Sequence, residues 1–250
     1  MKLGIVGKGG VGKTTLSALL AEAFARRGLR VVAIDTDSNP NLGLSLGLSP
    51  VDTDAVPTLP RSILVGSRGD LTVEDVFDQY SYETPAGVTL LSALKVEHAA
   101  GGCTCGGHAT VRSLLSETLD QRADVTIVDM EAGLEHLSRS GGTLAHADVL
   151  LVVMEPSRKA VLTASRTLVL AEELGIPKVY GLGNKAVDGD REFFEDLCAE
   201  YGIELAGAVP LDDDVSAAAR AGARVQADAA TAVRVELDRV IDHIGPLVAV

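Results

Sequence analysis

The stretch Gly7-Lys8-Gly9-Gly10-Val11-Gly12-Lys13-Thr14-Thr15 has the residue types and spacing that hold phosphate. From Gly7 to Thr14 it fits G-x-x-x-x-G-K-[ST]. The glycines let backbone N–H groups converge on anionic oxygens with no Cβ in the way. Lys13 brings a cation to the terminal phosphates, and Thr14 brings a hydroxyl to Mg²⁺. This chemistry needs an element on each side. Leu3 to Val6 reads as an apolar strand over residues 2–7, and a helix over 13–27 has Leu16, Leu19, Leu20 and Phe24 on one face. The helix start presents free N–H groups and the positive dipole end to an anion.

Other chemistry-bearing residues recur at expected strand ends. Asp35 and Asp37 follow the apolar run 30–35, where carboxylates can orient an attacking water and support a Mg²⁺ shell. Asp129 ends the run 124–129 and can hold Mg²⁺ through water. The strand β-loop-α-β start predicts an α/β fold, a doubly wound, mostly parallel sheet flanked by helices, with ligands at the carboxyl ends of its strands. Further strands are expected over 88–94, 149–154, 179–183 and 206–210. Helices are expected over 72–80 with a Thr72–Asp75 capping box, 109–119, 157–174 with Ser157 as cap, 192–201 and 231–244. Residues 43–102 are rich in Gly, Pro and Ser and read as an elaborated insertion within a single domain of residues 1–250.

Cys103 and Cys105 lie one residue apart among glycines, ahead of the helix expected at 109–119. Such a pair can serve a soft metal ion or redox chemistry, or can be two small residues of a turn or an adventitious disulfide. One chain supplies two of the usual four ligands, and a two-fold dimer supplies four. His108 is a further ligand or a polar surface residue. His136 is a sensor or lies on a helix surface. Cys198 reads as a small buried hydrophobe.

The chain has 250 residues and a formal net charge of −13, which excludes a broad basic face for nucleic acid. No stretch approaches the roughly 20 apolar residues that span a bilayer. The N-terminus reads as a strand and not a signal peptide, and the expected place is the cytosol, where thiols stay reduced.

The form K-G-G-x-G-K-T-T resembles the deviant phosphate loop of the MinD/ParA/nitrogenase iron protein class of ATPases. With D-x-D, the C-x-C and the run D-M-x-A-G-x-E-H-L-x-R from Asp129 to Arg139, the chain resembles the CooC-type nickel-insertion ATPases, from Met1 to its last helix and least between 43 and 100. The resemblance implies a P-loop ATPase fold that hydrolyses ATP with Mg²⁺ as a homodimer. It implies that Gly9, Gly10, Val11, Gly12, Lys13, Thr14 and Thr15 hold the nucleotide's phosphates and that Lys8 reaches the partner's nucleotide. It assigns Asp37 to the water, Asp35 and Asp129 to the metal shell, and the Gly133 N–H to the γ-phosphate. Asn184, Lys185 and Pro210 would lie at the adenine. Ni²⁺ or Zn²⁺ would sit on paired Cys103 and Cys105, for delivery to carbon monoxide dehydrogenase or acetyl-CoA synthase. The family often has Pro directly after the second Asp; here Ser38 follows Asp37. The other function in view is an ATP-gated switch of the MinD/ParA type without metal delivery. No Cys lies in 131–139, which separates the chain from iron–sulfur reductases of the class. Its last helix mixes charges, which separates it from members that bind membranes.

Overall fold

β1 (Lys2–Gly7) runs up the middle of a sheet with β5 (Val125–Asp129) on one side and β6 (Val149–Met154) on the other, both parallel to it. The computed structural model describes residues 1–61, 63–66, 69–95, 105–117, 122–132 and 143–245, with only the backbone of Cys105. Beyond β5 lie β2 (Val31–Asp35), β4 (Thr89–Ser92) and the short β3 (Tyr82–Glu83). Beyond β6 lie β7 (Lys178–Ala186) and β8 (Glu204–Pro210). The order is β3-β4-β2-β5-β1-β6-β7-β8, eight strands among the described residues, parallel except for β3 against β4.

The strands read as unbroken apolar runs because both faces are covered. Successive residues of β6 alternate between two cores: Val149, Leu151 and Val153 face one, and Leu150, Val152 and Met154 face the other. The first core is filled by α1 (Lys13–Arg26) and α9 (Thr231–Ile244), whose Leu16, Leu20, Phe24, Leu237 and Ile241 are buried there. Burying each such side chain stabilises the fold by about 1.5–3 kcal/mol. The second takes residues from α5 (Cys105–Ser116), α6 (Arg158–Glu173) and α7 (Asp190–Glu200). A buried charged knot ties α1 to the C-terminal elements: Glu22 accepts from Arg224 at 2.6 Å and from Arg234 at 3.1 Å.

Several boundaries differ from expectation. Residues 43–95 hold α2 (Leu42–Ser45, starting one residue earlier), α3 (Pro50–Ala55) and α4 (Val73–Tyr80), and they also supply β3 and β4 to the main sheet. The Thr72 capping box on α4 is present with Asp75. α5 begins at Cys105, four residues before the expected start. Gly107 makes this possible, because a Cβ there would collide with Leu94. β7 does not stop at Gly183 but continues through Asn184 and Lys185 to Ala186. α8 (Asp213–Ala221) was not anticipated. Cys103, Gly133 and His136 lie outside the described residues, as does most of the stretch 131–139.

Candidate nucleotide site

The loop between β1 and α1 sits at the carboxyl ends of the central strands, where parallel α/β sheets place ligands. Gly12 is the N-cap of α1 in a left-handed conformation, φ 100°, with no side-chain cap and no acidic residue in the first turn. No side chain of its own thus claims the helix's leading N–H groups, which suits an anion. A Cβ on Gly12 would collide with the Asn184 amide nitrogen.

Lys13 is 8% exposed, and its ammonium donates to the Lys8 carbonyl at 3.1 Å. Burial lowers its pKa, opposed by the charges of Asp129, Asp37 and Glu131. A desolvated cation ringed by carboxylates is a ready partner for phosphate. The next residue, Thr14, makes a side-chain hydrogen bond with the Asp129 carboxylate, which also accepts from Ser17 at 2.9 Å. A hydroxyl beside a buried carboxylate is a donor set of hard oxygens, which fits Mg²⁺.

Asp35 and Asp129 face each other in register across β2 and β5. Burial, then mutual repulsion, raises the Asp35 pKa to about 7. Burial raises Asp129 to about 6 against the Thr14 and Ser17 hydrogen bonds and the charge of Lys13. The two oxygens of Asp35 accept the N–H groups of Asp37 and Leu42, each at 3.0 Å. Its carboxyl therefore shapes the loop that carries Asp37. Half-buried Asp37 accepts the Asn39 N–H at 2.9 Å and lies close enough for its charge to act on both Lys13 and Asp129.

On the other flank, Asn184 donates to the Val11 carbonyl and Lys185 to the Gly10 carbonyl, each at 2.7 Å. Lys185 has φ 58°, a left-handed backbone on a non-glycine residue, where the β7–β8 register shifts. Such local strain, on the order of 1–3 kcal/mol, gathers at functional sites. Asn184, Lys185 and Pro210 line a cavity of about 100 Å³ together with Gly12 and Thr15. A larger open groove of about 890 Å³ lies across Pro210, walled by Val187, Arg191 and Asp212.

Thus Lys8, Gly9, Gly10, Val11, Gly12, Lys13, Thr14, Thr15, Asp37, Asp129, Asn184, Lys185 and Pro210 come together at one end of the sheet. Half-buried Lys8 donates to the Lys159 carbonyl of its own chain at 3.3 Å. His108 is buried, so a place on the polar surface does not describe it. Sequence reading missed Ser17, Ser38 and Glu131 as site residues; helical spacing places Ser17 one turn after Thr14, which was the available signal.

A mostly parallel sheet with this loop on its central strand defines a P-loop nucleotide-binding protein. The chain belongs to the CobQ/CobB/MinD/ParA nucleotide-binding domain family, whose model matches residues 5–225. Carbon monoxide dehydrogenase accessory protein CooC of Rhodospirillum rubrum is 36% identical over 238 residues, 89% of this chain and 88% of that protein. An uncharacterised ATP-binding protein of Methanocaldococcus jannaschii is 34% identical over 258 residues, 98% of this chain and 97% of that one. Among solved structures, the septum site-determining protein MinD of Pyrococcus horikoshii, complexed with Mg-ADP, matches with a TM-score of 0.73 and 20% identity, over 99% of this chain and 97% of that one.

Proposed function

We propose that the protein is a Mg-ATP-dependent, dimeric metallochaperone ATPase that loads nickel, or zinc, into a client such as carbon monoxide dehydrogenase or acetyl-CoA synthase. The observation that carries this is the 36% identity to CooC across 89% of the chain. It is supported by two thiols one residue apart, Cys103 and Cys105.

Bound at the loop, Mg-ATP supplies a phosphorus electrophile whose charge the metal neutralises. The chain's own part is to hold and orient. N–H groups from Gly9 to Thr15 and the Lys13 ammonium hold the phosphates. The Thr14 hydroxyl and Asp129 would hold Mg²⁺. Asp37 orients the attacking water, and Asp35 supports the metal shell while keeping the Asp37 loop in shape. Lys8 leaves Lys159 to reach the partner's nucleotide. The Gly133 N–H approaches the γ-phosphate, and Asn184, Lys185 and Pro210 border the base. Closure of two copies brings four thiolates to one soft ion, the substrate to be delivered. The acidic balance supports a protein client over nucleic acid. Among the described residues no helix is long and apolar enough to cross a membrane.

The test is titration of the reduced protein with Zn²⁺ and with Ni²⁺, with and without ATP, while its mass in solution is followed. One tight ion per dimer is expected, with ATP changing its affinity. Unchanged stoichiometry and affinity in a Cys103→Ser/Cys105→Ser variant would remove metal delivery and leave an ATP-gated switch of the MinD type.

A further inference from the structure

The loops after β2 and β5 are fastened to each other at two points. At the buried one, Thr36 donates its N–H and its hydroxyl to the Asp129 carbonyl, at 3.0 and 2.9 Å. At the half-buried one, the Ser38 hydroxyl donates to Glu131 Oε1 at 2.9 Å. The first is backbone-anchored and dry, so it acts as a hinge. The second joins two side chains within reach of water, so it can open at small cost.

The segment that carries Glu131 runs beside the phosphate loop. The next residue, Ala132, has its Cβ 3.7 Å from where a Cβ on Gly9 would stand. The Glu131 charge is also one of the three carboxylates that act on the Lys13 ammonium. A triphosphate seated on Lys13 brings its terminal anion into that same field. Carboxylate and phosphate are both acceptors for the one cation and repel each other at close range. A diphosphate lacks the outermost group and disturbs the carboxylate less.

We infer that Glu131, clasped to Ser38, is a terminal-phosphate sensor: it joins the two loops until a nucleoside triphosphate displaces its carboxylate, so ATP and ADP differ in whether the clasp is open. This rests on the nucleotide-binding role of the loop and not on metal delivery. Glu131 is a positioning residue here. It touches Ser38 and sets the relation of the Asp37 loop to the Asp129 loop.

Full-length wild type, Glu131→Gln and Ser38→Ala are to be titrated with a fluorescent non-hydrolysable Mg-triphosphate analogue and with its Mg-diphosphate counterpart. Gln keeps the acceptor for Ser38 and removes the charge. It is expected to tighten triphosphate binding on the order of tenfold and to leave diphosphate binding within about twofold. Ser38→Ala, which removes one tie on the carboxylate, is expected to shift the same ratio in the same direction by less. A tie that only supports the fold would move both affinities together, and that result overturns the sensor. So does an unchanged ratio in Glu131→Gln with wild-type binding intact, and the nucleotide role then stands. A wild type that binds neither nucleotide overturns both.

Discussion

Asp35 and Asp129 stand directly opposite each other at the ends of β2 and β5, each no more than 2% exposed. Two carboxylates so placed cannot both ionise without cost. The chain treats them differently. Asp35 is satisfied by two backbone N–H groups of its own loop. Asp129 is satisfied by hydroxyls from α1 and faces the Lys13 charge. One shapes the loop that carries Asp37, and the other lies against Thr14, Ser17 and Lys13 at the start of α1.

The pH dependence of stability follows from this pair. Their pKa values rise from 3.8 to about 7 and about 6, so the folded chain keeps protons that the unfolded chain has lost. Unfolding then releases protons, and stability falls as pH rises through that window. Near pH 4 the trend is opposed by carboxylates shifted the other way, such as Asp124, held at about 2 by Arg30. From pH 6 to pH 8 the nucleotide-free protein is expected to lose on the order of 1 kcal/mol, or a few degrees of melting temperature. Thermal unfolding in matched buffers checks this, and a midpoint that climbs across the interval contradicts it.

Asp129→Asn separates the cost of this carboxylate from its use. At pH 8 the variant removes a buried charge while keeping an acceptor for Ser17. The nucleotide-free protein is expected to melt about 2–4 °C higher than wild type. The additional stabilisation by Mg²⁺ in the presence of a non-hydrolysable ATP analogue should largely vanish. An undiminished Mg²⁺ effect would take Asp129 out of the metal shell.

Backbone geometry gives a paired comparison. Gly12 and Gly28 both have positive φ, 100° and 83°. A Cβ at Gly12 would strike Asn184, whereas at Gly28 nothing lies within 4 Å. Gly28→Ala should cost about 1 kcal/mol in denaturant unfolding and leave nucleotide affinity alone. Gly12→Ala should cost about 1–3 kcal/mol and also weaken nucleotide binding by more than about tenfold, because Asn184 must leave Val11. Equal effects of the two variants on binding would mean that the Gly12–Asn184 approach has no part in the site.

The fold was legible where its signal is local. β6 and α9 were read to the residue because an apolar run and an amphipathic face mark them from end to end. Thr72 and Ser157 announce their helices because a cap is made by the side chain at the boundary itself. The end of β7 was not legible, since Asn184 and Lys185 are polar and Lys185 takes a conformation that its residue type disfavours. Nor was α8: it buries none of its residues fully, so no core-facing stripe betrays it, although Asp212 caps it as Ser157 caps α6. At the site, Lys13 and Thr14 came from one contiguous motif. The Ser38–Glu131 tie spans 93 positions, and no single stretch of sequence encodes such a contact.

Lys8 supplies the last prediction. Its ammonium donates to the Lys159 carbonyl at 3.3 Å, and that carbonyl already accepts the Thr163 hydroxyl at 2.9 Å. That contact is weak enough to exchange for a phosphate on a facing subunit. If Lys8 acts across a dimer, turnover per chain should rise with protein concentration in wild type. In Lys8→Ala it should stay low and flat, with nucleotide affinity of the single chain unchanged within about threefold. Steady-state ATPase assays over a wide range of protein concentration, with mass in solution measured alongside, check both. Wild-type turnover in a Lys8→Ala protein shown to be monomeric would place Lys8 outside the reaction, and the acceleration by a second copy would need another source.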